Sequence, residues 1–466
     1  MTIKFLGAAR EVTGSKHLIT TAHGKNILLD CGMYQGKGLE TDSMNRNLGF
    51  NPQEIDYIIL SHAHIDHSGL IPYIYKLGFQ GHVLCTHATR DLCAIMLADS
   101  GHIHEQDTIT FNKKRARKGQ PPVDPIYTKE DAIACMNAFI AIPYKKPLQL
   151  TEEISVSITN TGHLLGSGVI NLEIKENNRI IKLAYTGDIG RPVNRILQPP
   201  QPFPQTDVLI TESTYGDRLH DNTEIANDQL LKVVNHTCIE KGGKLIIPSF
   251  SIGRAQEIIY SLNNFYNENK LPRVDIYVDS PLSVNATNIF RMHSECFNKD
   301  VIEVMQKDPD PFGFNNLFYI QRVDDSKKLN DINKPCVIIS SSGMMEAGRV
   351  KHHLANNIEN PKNTVLVVGY CAPTTLGAKI LRGDKQVSIF GNIYNVNAEI
   401  ERIESFSGHA DYKEMIQFLS CQNQKNISNI FLVHGEFQSQ LSYKKSLEEN
   451  GFSNIEIPEQ GQEYNI

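Results

Sequence analysis

The chain has 466 residues, which is more than one hydrophobic core usually holds, so we expect two or three domains. With 40% hydrophobic and 21% charged residues, the composition is typical of a soluble globular protein and excludes a disordered or fibrous one. The formal net charge of -6 does not indicate a nucleic-acid-binding protein, but local charge can still produce one.

The nine cysteines are scattered and never spaced as Cys-x-x-Cys. This pattern argues against a disulfide framework or a cysteine zinc site and predicts a reducing compartment. No signal-peptide pattern follows Met1, and no stretch approaches the ~18 apolar residues that a membrane helix needs. We therefore expect a cytoplasmic protein without a membrane segment.

The first cluster of metal-ligand types follows a short apolar run. Residues 1–30 alternate strand-like runs with turns, and Asp30 closes the third run. Residues 55–60 predict a buried strand, and the next turn carries His62, His64, Asp66 and His67. On a strand-to-helix turn these side chains can converge on one point, and imidazole and carboxylate are ligands that zinc prefers. The turn therefore predicts a zinc site, and we expect Asp30, at the end of its strand, to point towards the same site.

Later strand ends carry further side chains of the same types. His163, Asp188, Glu212 and His434 each follow or end an apolar strand-like run. His409 lies in the stretch 404–411, which precedes an amphipathic helix. Each motif alone is weak evidence, but together they predict one set.

Residues 85–145 predict helix and include a strongly basic run. Its cations are Lys113, Lys114, Arg115, Arg117 and Lys118. A solvated helix face is the more common explanation for such a run. Contact with the phosphate backbone of a nucleic acid is the alternative, because it needs clustered cations and no sequence code.

After residue 211 the pattern changes to alternating strands and helices. Such βαβ alternation predicts a mostly parallel sheet and a separate α/β domain. Two turns after strands in this part could hold a phosphate. The candidate substrate-binding residues are Ser249, Arg254, Ser341, Ser342 and Gly343. Phosphate contact and helix capping explain these turns equally well.

Several motifs together resemble one family. They are Phe5 to Ser15 (FLGAAREVTGS), Asp30 to Met33 (DCGM), the His-x-His-x-Asp-His turn, Pro248 to Glu257 (PSFSIGRAQE) and Ser340 to Met345 (SSSGMM). With them the chain resembles the β-CASP branch of metallo-β-lactamase-fold nucleases, in the bacterial group similar to the eukaryotic pre-mRNA 3′-end cleavage endonuclease. The resemblance implies an α/β fold: a metallo-β-lactamase αββα sandwich with an inserted β-CASP α/β domain. The implied domains are 1–210, 211–395 and 396–466, the last completing the first.

The resemblance also implies two zinc ions and a role for each candidate. His62, His64 and His163 would hold the first ion, Asp66, His67 and His434 the second, and Asp188 would bridge them. Asp30 would orient a ligand or the attacking water, and His409 would act as general acid with Glu212 behind it. A histidine at position 434 resembles the RNA-acting members.

The activity so implied is a zinc-dependent ribonuclease with RNA as its partner. It would use two-metal activation of water, leave 5′-phosphate and 3′-hydroxyl ends, and cut internally. One alternative is a small-molecule hydrolase, glyoxalase-like or lactamase-like, which would leave Glu212, His409 and the inserted domain without a role. Another is an inactive scaffold in RNA processing, which the complete set of ligand positions disfavours. The sequence leaves a homodimer open.

Overall fold

The computed structural model describes residues 1–36, 40–176, 179–220, 223–403 and 408–466. Residues 404–407, which begin the stretch 404–411 that was predicted to precede an amphipathic helix, lie outside these residues. Strands β1 to β22 are, in chain order, Thr2–Gly7, Lys16–Thr20, Asn26–Leu29, Tyr57–Ile59, His82–Cys85, Phe139–Ala141, Leu148–Gln149, Ile154–Asn160, Gly168–Glu176, Arg179–Tyr185, Val208–Glu212, Lys244–Pro248, Asp275–Val278, Leu317–Tyr319, Cys336–Ser340, Thr364–Val367, Gln386–Ile389, Asn392–Asn395, Glu399–Arg402, Asn429–Val433, Ile455–Glu456 and Glu463–Asn465.

Helices connect most of these strands. Helices α1 to α14 are Thr41–Arg46, Ile65–Ser68, Ile71–Lys76, His87–Ala116, Lys129–Cys135, Thr223–Asn235, Arg254–Asn267, Pro281–Met292, Lys299–Met305, Val323–Lys328, Val350–Asn357, Leu376–Leu381, Tyr412–Leu419 and Phe437–Glu449. The described part of the chain contains no helix that is both long and apolar enough to cross a membrane.

The chain divides into two compact units. Unit 1 comprises Met1–Asn194, Gln198–Leu219 and His409–Ile466, and unit 2 comprises Arg195–Leu197 and His220–Gly408. The domain boundaries given above remain predictions.

Unit 1 contains two mixed sheets of seven strands. The first has the order β22-β1-β2-β3-β4-β5-β6 and the second β21-β20-β11-β10-β9-β8-β7. Alternate residues along the strands of both sheets pack into one core, which includes Phe5, Ile59, Leu172 and Phe431. The opposite face of the second sheet packs against α13 and α14. This alternation follows from the period of two along a strand, which sends successive side chains to opposite faces.

Unit 2 contains a parallel sheet of six strands in the order β14-β13-β15-β12-β16-β19. The inner strands β15, β12 and β16 are mostly apolar and almost wholly buried, as in Cys336–Ser340, where every residue is buried, whereas the edge strand β19 has no fully buried residue. Such burial of the inner strands is typical of parallel strands that helices cover on both faces. A two-stranded hairpin, β17–β18, completes the unit's described strands.

Shared strand directions bring the candidate site residues together. In the second sheet, β10, β11 and β20 are parallel neighbours, and β8 runs the same way because both β8 and β10 are antiparallel to β9. In the first sheet β3 and β4 are parallel. The carboxyl ends of such strands meet at one edge of their sheet, and that edge is where the predicted ligands follow.

Candidate metal centre

Four donor atoms form the first group, from His62, His64, His163 and Asp188. His62 Nε2 lies 3.0 Å from His64 Nδ1, which lies 3.3 Å from His163 Nε2. Asp188 Oδ2 lies 3.4 Å from both His62 Nε2 and His163 Nε2. Four donors placed tetrahedrally around zinc at ~2.0–2.1 Å are about 3.3 Å from one another. The separations therefore match the edges of a tetrahedral zinc site.

The second group comprises Asp66, His67 and His434. His67 Nε2 lies 3.2 Å from His434 Nε2, which lies 3.5 Å from Asp66 Oδ2. The other oxygen of Asp188, Oδ1, lies 3.3 Å from His67 Nε2. The two oxygens of Asp188 thus face different groups, as a bridging carboxylate would.

The chemistry of these donors fits cations. Asp188 Oδ1 is buried and has no hydrogen-bond partner among the described residues, which is costly for a charged oxygen unless an ion is nearby. Burial lowers the pKa of His62 and of His64, so these rings are neutral and present lone pairs. Burial raises the pKa of Asp66, but His434 and His67 lower it to about 2, so this carboxylate is ionised.

His67 is oriented by Asp30 from behind. Asp30 Oδ2 lies 2.7 Å from His67 Nδ1 and accepts hydrogen bonds of 2.7 Å from the Tyr185 hydroxyl and from Ser61 Oγ. Asp30 Oδ1 accepts the Ser61 N–H at 2.7 Å. When one ring N–H donates a hydrogen bond to a carboxylate, the other ring nitrogen keeps its lone pair for a metal. Nε2 of His67 is the nitrogen that faces His434 and Asp188.

His434 is held by backbone and hydroxyl contacts. The backbone N–H of His434 donates to the Ala8 carbonyl oxygen at 2.7 Å, and its ring Nδ1 lies 3.0 Å from Thr214 Oγ1. Its φ of +50° lies in the left-handed region, as does the +57° of Asp30. Such conformations cost energy in residues with a side chain and cluster at functional sites.

His409 and Glu212 form an ion pair beside the two groups. His409 Nδ1 lies 3.2 Å from Glu212 Oε2 and 3.9 Å from Asp188 Oδ2. Burial lowers the pKa of His409, but the Glu212 carboxylate raises it, with a net value of about 10. Glu212 could also join Asp188 and His434 as a ligand. Its Oε1 however accepts the Ile189 N–H at 2.5 Å, and its Oε2 faces His409.

Two glycines allow the close approach of the segments that carry ligands. A Cβ at Gly32 would lie 1.6 Å from Asp66 O, and a Cβ at Gly190 would lie 2.4 Å from His163 N. No side chain fits at either position without moving the ligand segment beside it.

The models of three protein families match successive parts of the chain. The Metallo-beta-lactamase superfamily matches residues 14–216, the Beta-Casp domain matches 255–380, and the Zn-dependent metallo-hydrolase RNA specificity domain matches 393–458. Ribonuclease TTHA0252 of Thermus thermophilus is 33% identical over 96% of each chain. The chain belongs to the β-CASP family of the metallo-β-lactamase superfamily.

Other relatives extend this likeness. The RNase J-like protein of Methanocaldococcus jannaschii is 33% identical over 96% of this chain and 95% of its own. Integrator complex subunit 11 of Gallus gallus is 30% identical over 98% of this chain and 72% of its own. The predicted family and fold class are confirmed. The chain is a metallo-hydrolase that uses a metal cofactor.

The structure places the predicted substrate-binding residues of this β-CASP protein in unit 2. Ser249 and Ser341 follow the neighbouring strands β12 and β15. Ser341 Oγ donates to Ser280 Oγ at 2.6 Å and accepts from Ser251 Oγ at 2.8 Å. Ser342 Oγ donates to Ala347 O at 3.4 Å.

The other two predicted residues adjoin this edge. Gly343 lies against the exposed ring of Phe250, and Arg254 begins α7 with its Nη1 2.5 Å from Glu257 Oε2. Their contact with substrate stays a prediction. The basic run 113–118 lies at the exposed end of α4 and contributes nothing to either ligand group.

The sequence does not reveal the residues that orient the candidate ligands. Tyr185, Ser61 and Thr214 contact Asp30 and His434 through hydroxyl groups. Tyr185 ends β10 three residues before Asp188. Its only signal in the sequence is a hydroxyl at the inward-facing end of a strand that leads to a ligand.

Proposed function

We propose that this β-CASP protein is a ribonuclease that holds two zinc ions. His62, His64 and His163 would hold one ion, and Asp66, His67 and His434 would hold the other. Asp188, whose two oxygens face different groups, would be shared between them. The donor separations of 3.0–3.5 Å in both groups support this set. When bound, two zinc ions lower the pKa of water towards ~7 and offset the negative charge of a phosphodiester.

The observation that carries the proposal is the His409–Glu212 pair. A phosphodiester has a poor leaving group, so O3′ needs a proton as its bond to phosphorus breaks. Glu212 at 3.2 Å holds Nδ1 of His409 and keeps the ring charged, which leaves Nε2 as the proton donor. Small-molecule hydrolysis with a better leaving group would not require this pair.

The bond changes define the products. Water gives one proton to the solvent and its oxygen forms a bond to phosphorus, the bond from phosphorus to O3′ breaks, and His409 donates its proton to O3′ and is later reprotonated from the solvent. The products are a 5′-phosphate and a 3′-hydroxyl, and the 2′-hydroxyl takes no part. Internal cleavage is the mode we propose, because the chemistry requires no chain end.

RNA is the proposed substrate. Relatives named Ribonuclease TTHA0252 and RNase J-like protein support it, as does the RNA specificity domain matched over 393–458, which includes His409 and His434. Ser249, Arg254, Ser341, Ser342 and Gly343 are proposed to contact its backbone. The Ser249 hydroxyl is buried and lacks a hydrogen-bond partner within the described residues, which supports a polar ligand there.

Two further predictions accompany this function. All nine cysteines are unpaired, which fits the cytoplasmic location expected from the sequence. A homodimer remains a proposal that a measurement of molecular mass in solution would test.

Metal analysis and one incubation test the function. We expect about two zinc ions per chain, and 5′-labelled RNA should be cut into fragments with 3′-hydroxyl ends. A chelator should abolish cutting, and added zinc should restore it. Intact RNA with a zinc-loaded protein that hydrolyses a lactam or thioester would overturn the proposal in favour of a small-molecule hydrolase.

A further inference from the structure

The outer end of α4 carries an unusual surface for a chain of net charge -6. Residues 111–120 contain five cations and no acidic residue. Lys113, Lys114, Arg117 and Lys118 are exposed and form no ion pair with any described residue. We call Phe111, Lys113, Lys114, Arg115, Arg117 and Lys118 the α4 tip.

Hydrogen bonds fix the backbone around the α4 tip. The Asn112 side chain donates to Val123 O and accepts from Val123 N, each at 2.9 Å. Arg115 Nε donates to Pro121 O at 2.7 Å, and Arg46 Nη2 donates to Asp124 O at 2.7 Å. The segment that returns from the helix is therefore fastened beside its last turns, which keeps the surrounding cations in place.

An exposed aromatic ring accompanies the cations. Phe111 is 47% exposed, and the Arg115 guanidinium lies 5.7 Å from its ring centroid. Proteins bind single-stranded nucleic acid by combining two kinds of contact. Cations contact the phosphates, and aromatic side chains between them provide a face on which a base can stack. An acidic protein partner would match the charges but would leave the exposed ring without a role.

The α4 tip is connected to the metal centre through the helix itself. At the other end of α4, Thr86 Oγ1 and Thr89 Oγ1 donate to Gly166 O at 2.7 and 2.9 Å, in the loop that carries His163. Lys113 lies 24 residues beyond Thr89 on one continuous helix, a rise of about 36 Å. A stacked strand advances ~3.4 Å per nucleotide, so roughly ten nucleotides span this distance.

We propose that the α4 tip is a second RNA-binding surface, which holds the backbone of single-stranded RNA about ten nucleotides from the bond that is cut. This inference rests on the proposed ribonuclease function and adds to it a preference for long substrates. RNA of about five nucleotides cannot reach from the metal centre to the α4 tip, whereas RNA of about thirty can.

The test compares two variants of equal charge. The tip variant is Lys113→Gln, Lys114→Gln, Arg117→Gln and Lys118→Gln, and the control variant is Lys299→Gln, Lys307→Gln, Lys362→Gln and Lys425→Gln, which removes four exposed cations elsewhere. Each zinc-loaded protein is assayed for kcat/KM on oligo(A) of about five and about thirty nucleotides. We expect the ratio of the long to the short substrate to fall about tenfold in the tip variant and to stay at the wild-type value in the control.

Salt dependence supplies a readout that does not depend on catalysis. Each phosphate contact on a single strand contributes about 0.7 to the slope of log affinity against log salt. The slope for a fluorescein-labelled phosphorothioate oligo(A) should therefore fall by up to about 3 in the tip variant, which removes four cations. Phe111→Ala should weaken binding about fivefold without changing the slope, because stacking releases no counterion.

The outcomes separate the two proposals. If the wild-type protein neither binds nor cuts the long RNA, the ribonuclease function itself fails. If it does both, and the tip and control variants share one slope and one ratio, the α4 tip is a solvated face or binds a protein, and this inference is overturned.

Discussion

Asp279 in unit 2 and Asp188 in unit 1 are both buried beside imidazole at the carboxyl end of a strand, but the two aspartates have different surroundings. In unit 2, Asp279 follows β13 and contacts Arg349 Nη1, His353 Nε2 and Ser326 Oγ, each at 2.6 Å. In unit 1, Asp188 has four imidazole nitrogens at 3.3–3.5 Å. The first distances are those of charge-assisted hydrogen bonds, and the second are those between ligands of one ion.

The different partners of Asp279 and Asp188 show which kind of buried carboxylate indicates a metal site. Arg349 supplies the positive charge that Asp279 needs, so this site is complete within the protein. Asp188 has no arginine or lysine partner among the described residues, and its Oδ1 lacks a hydrogen bond there. The charged His409 ring lies 3.9 Å from Asp188 but is closer to Glu212, at 3.2 Å, which is why we propose ions beside Asp188 and none at Asp279.

The largest expected effect is that of Asp188→Ala. Both ligand groups lose a shared donor, so most of the zinc should be lost and RNA cleavage should fall to the background rate. Elemental analysis after gel filtration measures the zinc. Full zinc occupancy in this variant would show that Asp188 does not bridge.

His409→Ala should remove the acid and keep the metal. RNA cleavage should fall by roughly 10²–10⁴-fold, the usual contribution of a positioned general acid, with zinc near the wild-type content. A nitrophenyl phosphodiester barely needs protonation of its leaving group, so its hydrolysis should fall much less. His434→Ala is the matched control and should damage both reactions alike. Equal loss of both activities in His409→Ala, or loss of zinc, would contradict the assigned roles.

Asp279→Asn should destabilise the protein without affecting the metal. The change leaves Arg349 without its anionic partner, and because that arginine is partly exposed we expect a loss of about 3 kcal/mol in the free energy of unfolding. Urea unfolding measures this loss, while the zinc content should remain that of wild type. Loss of zinc would mean that the two sites are not independent.

The difference in the free energy of unfolding between wild type and Asp279→Asn should depend on pH, which gives a second check of the role of Asp279. Burial raises the pKa of Asp279, but hydrogen bonds from His353, Ser326 and Arg349 lower it more, so the folded value lies below the ordinary one. The stabilisation by Asp279 is therefore complete above about pH 4 and is lost as the pH falls through the lower folded value. Wild type and Asp279→Asn should differ fully at neutral pH and converge in acid.

The smallest effect is expected for Tyr185→Phe. It removes one of the hydrogen bonds on Asp30, so the hold on His67 weakens and the affinity for zinc should fall about tenfold. Zinc retention against a chelator measures this change. Tyr443→Phe is the matched control, because the buried hydroxyl of Tyr443 has no hydrogen-bond partner within the described residues. A similar loss in both variants would indicate a packing effect.

The sequence predicts the ligands of unit 1 because each follows an apolar strand with a recognisable turn. Cys336–Ser340 likewise begins and ends where its apolar run predicts. The Asp279 cluster was not predicted, because Arg349 immediately precedes α11 and His353 lies on it, both remote in sequence from β13. Tyr185 was missed for the same physical reason. Its partner Asp30 lies 155 residues away and meets it only when the two sheets pack together.

The place of β20 in the second sheet has a consequence for the newly made protein. His434 follows β20 and meets His67, which precedes it by 367 residues. β20 pairs with β11, so the second ligand group forms only after this late strand has left the ribosome and joined the sheet. Until residue 434 has been added and β20 has paired with β11, a nascent chain therefore lacks the complete second group.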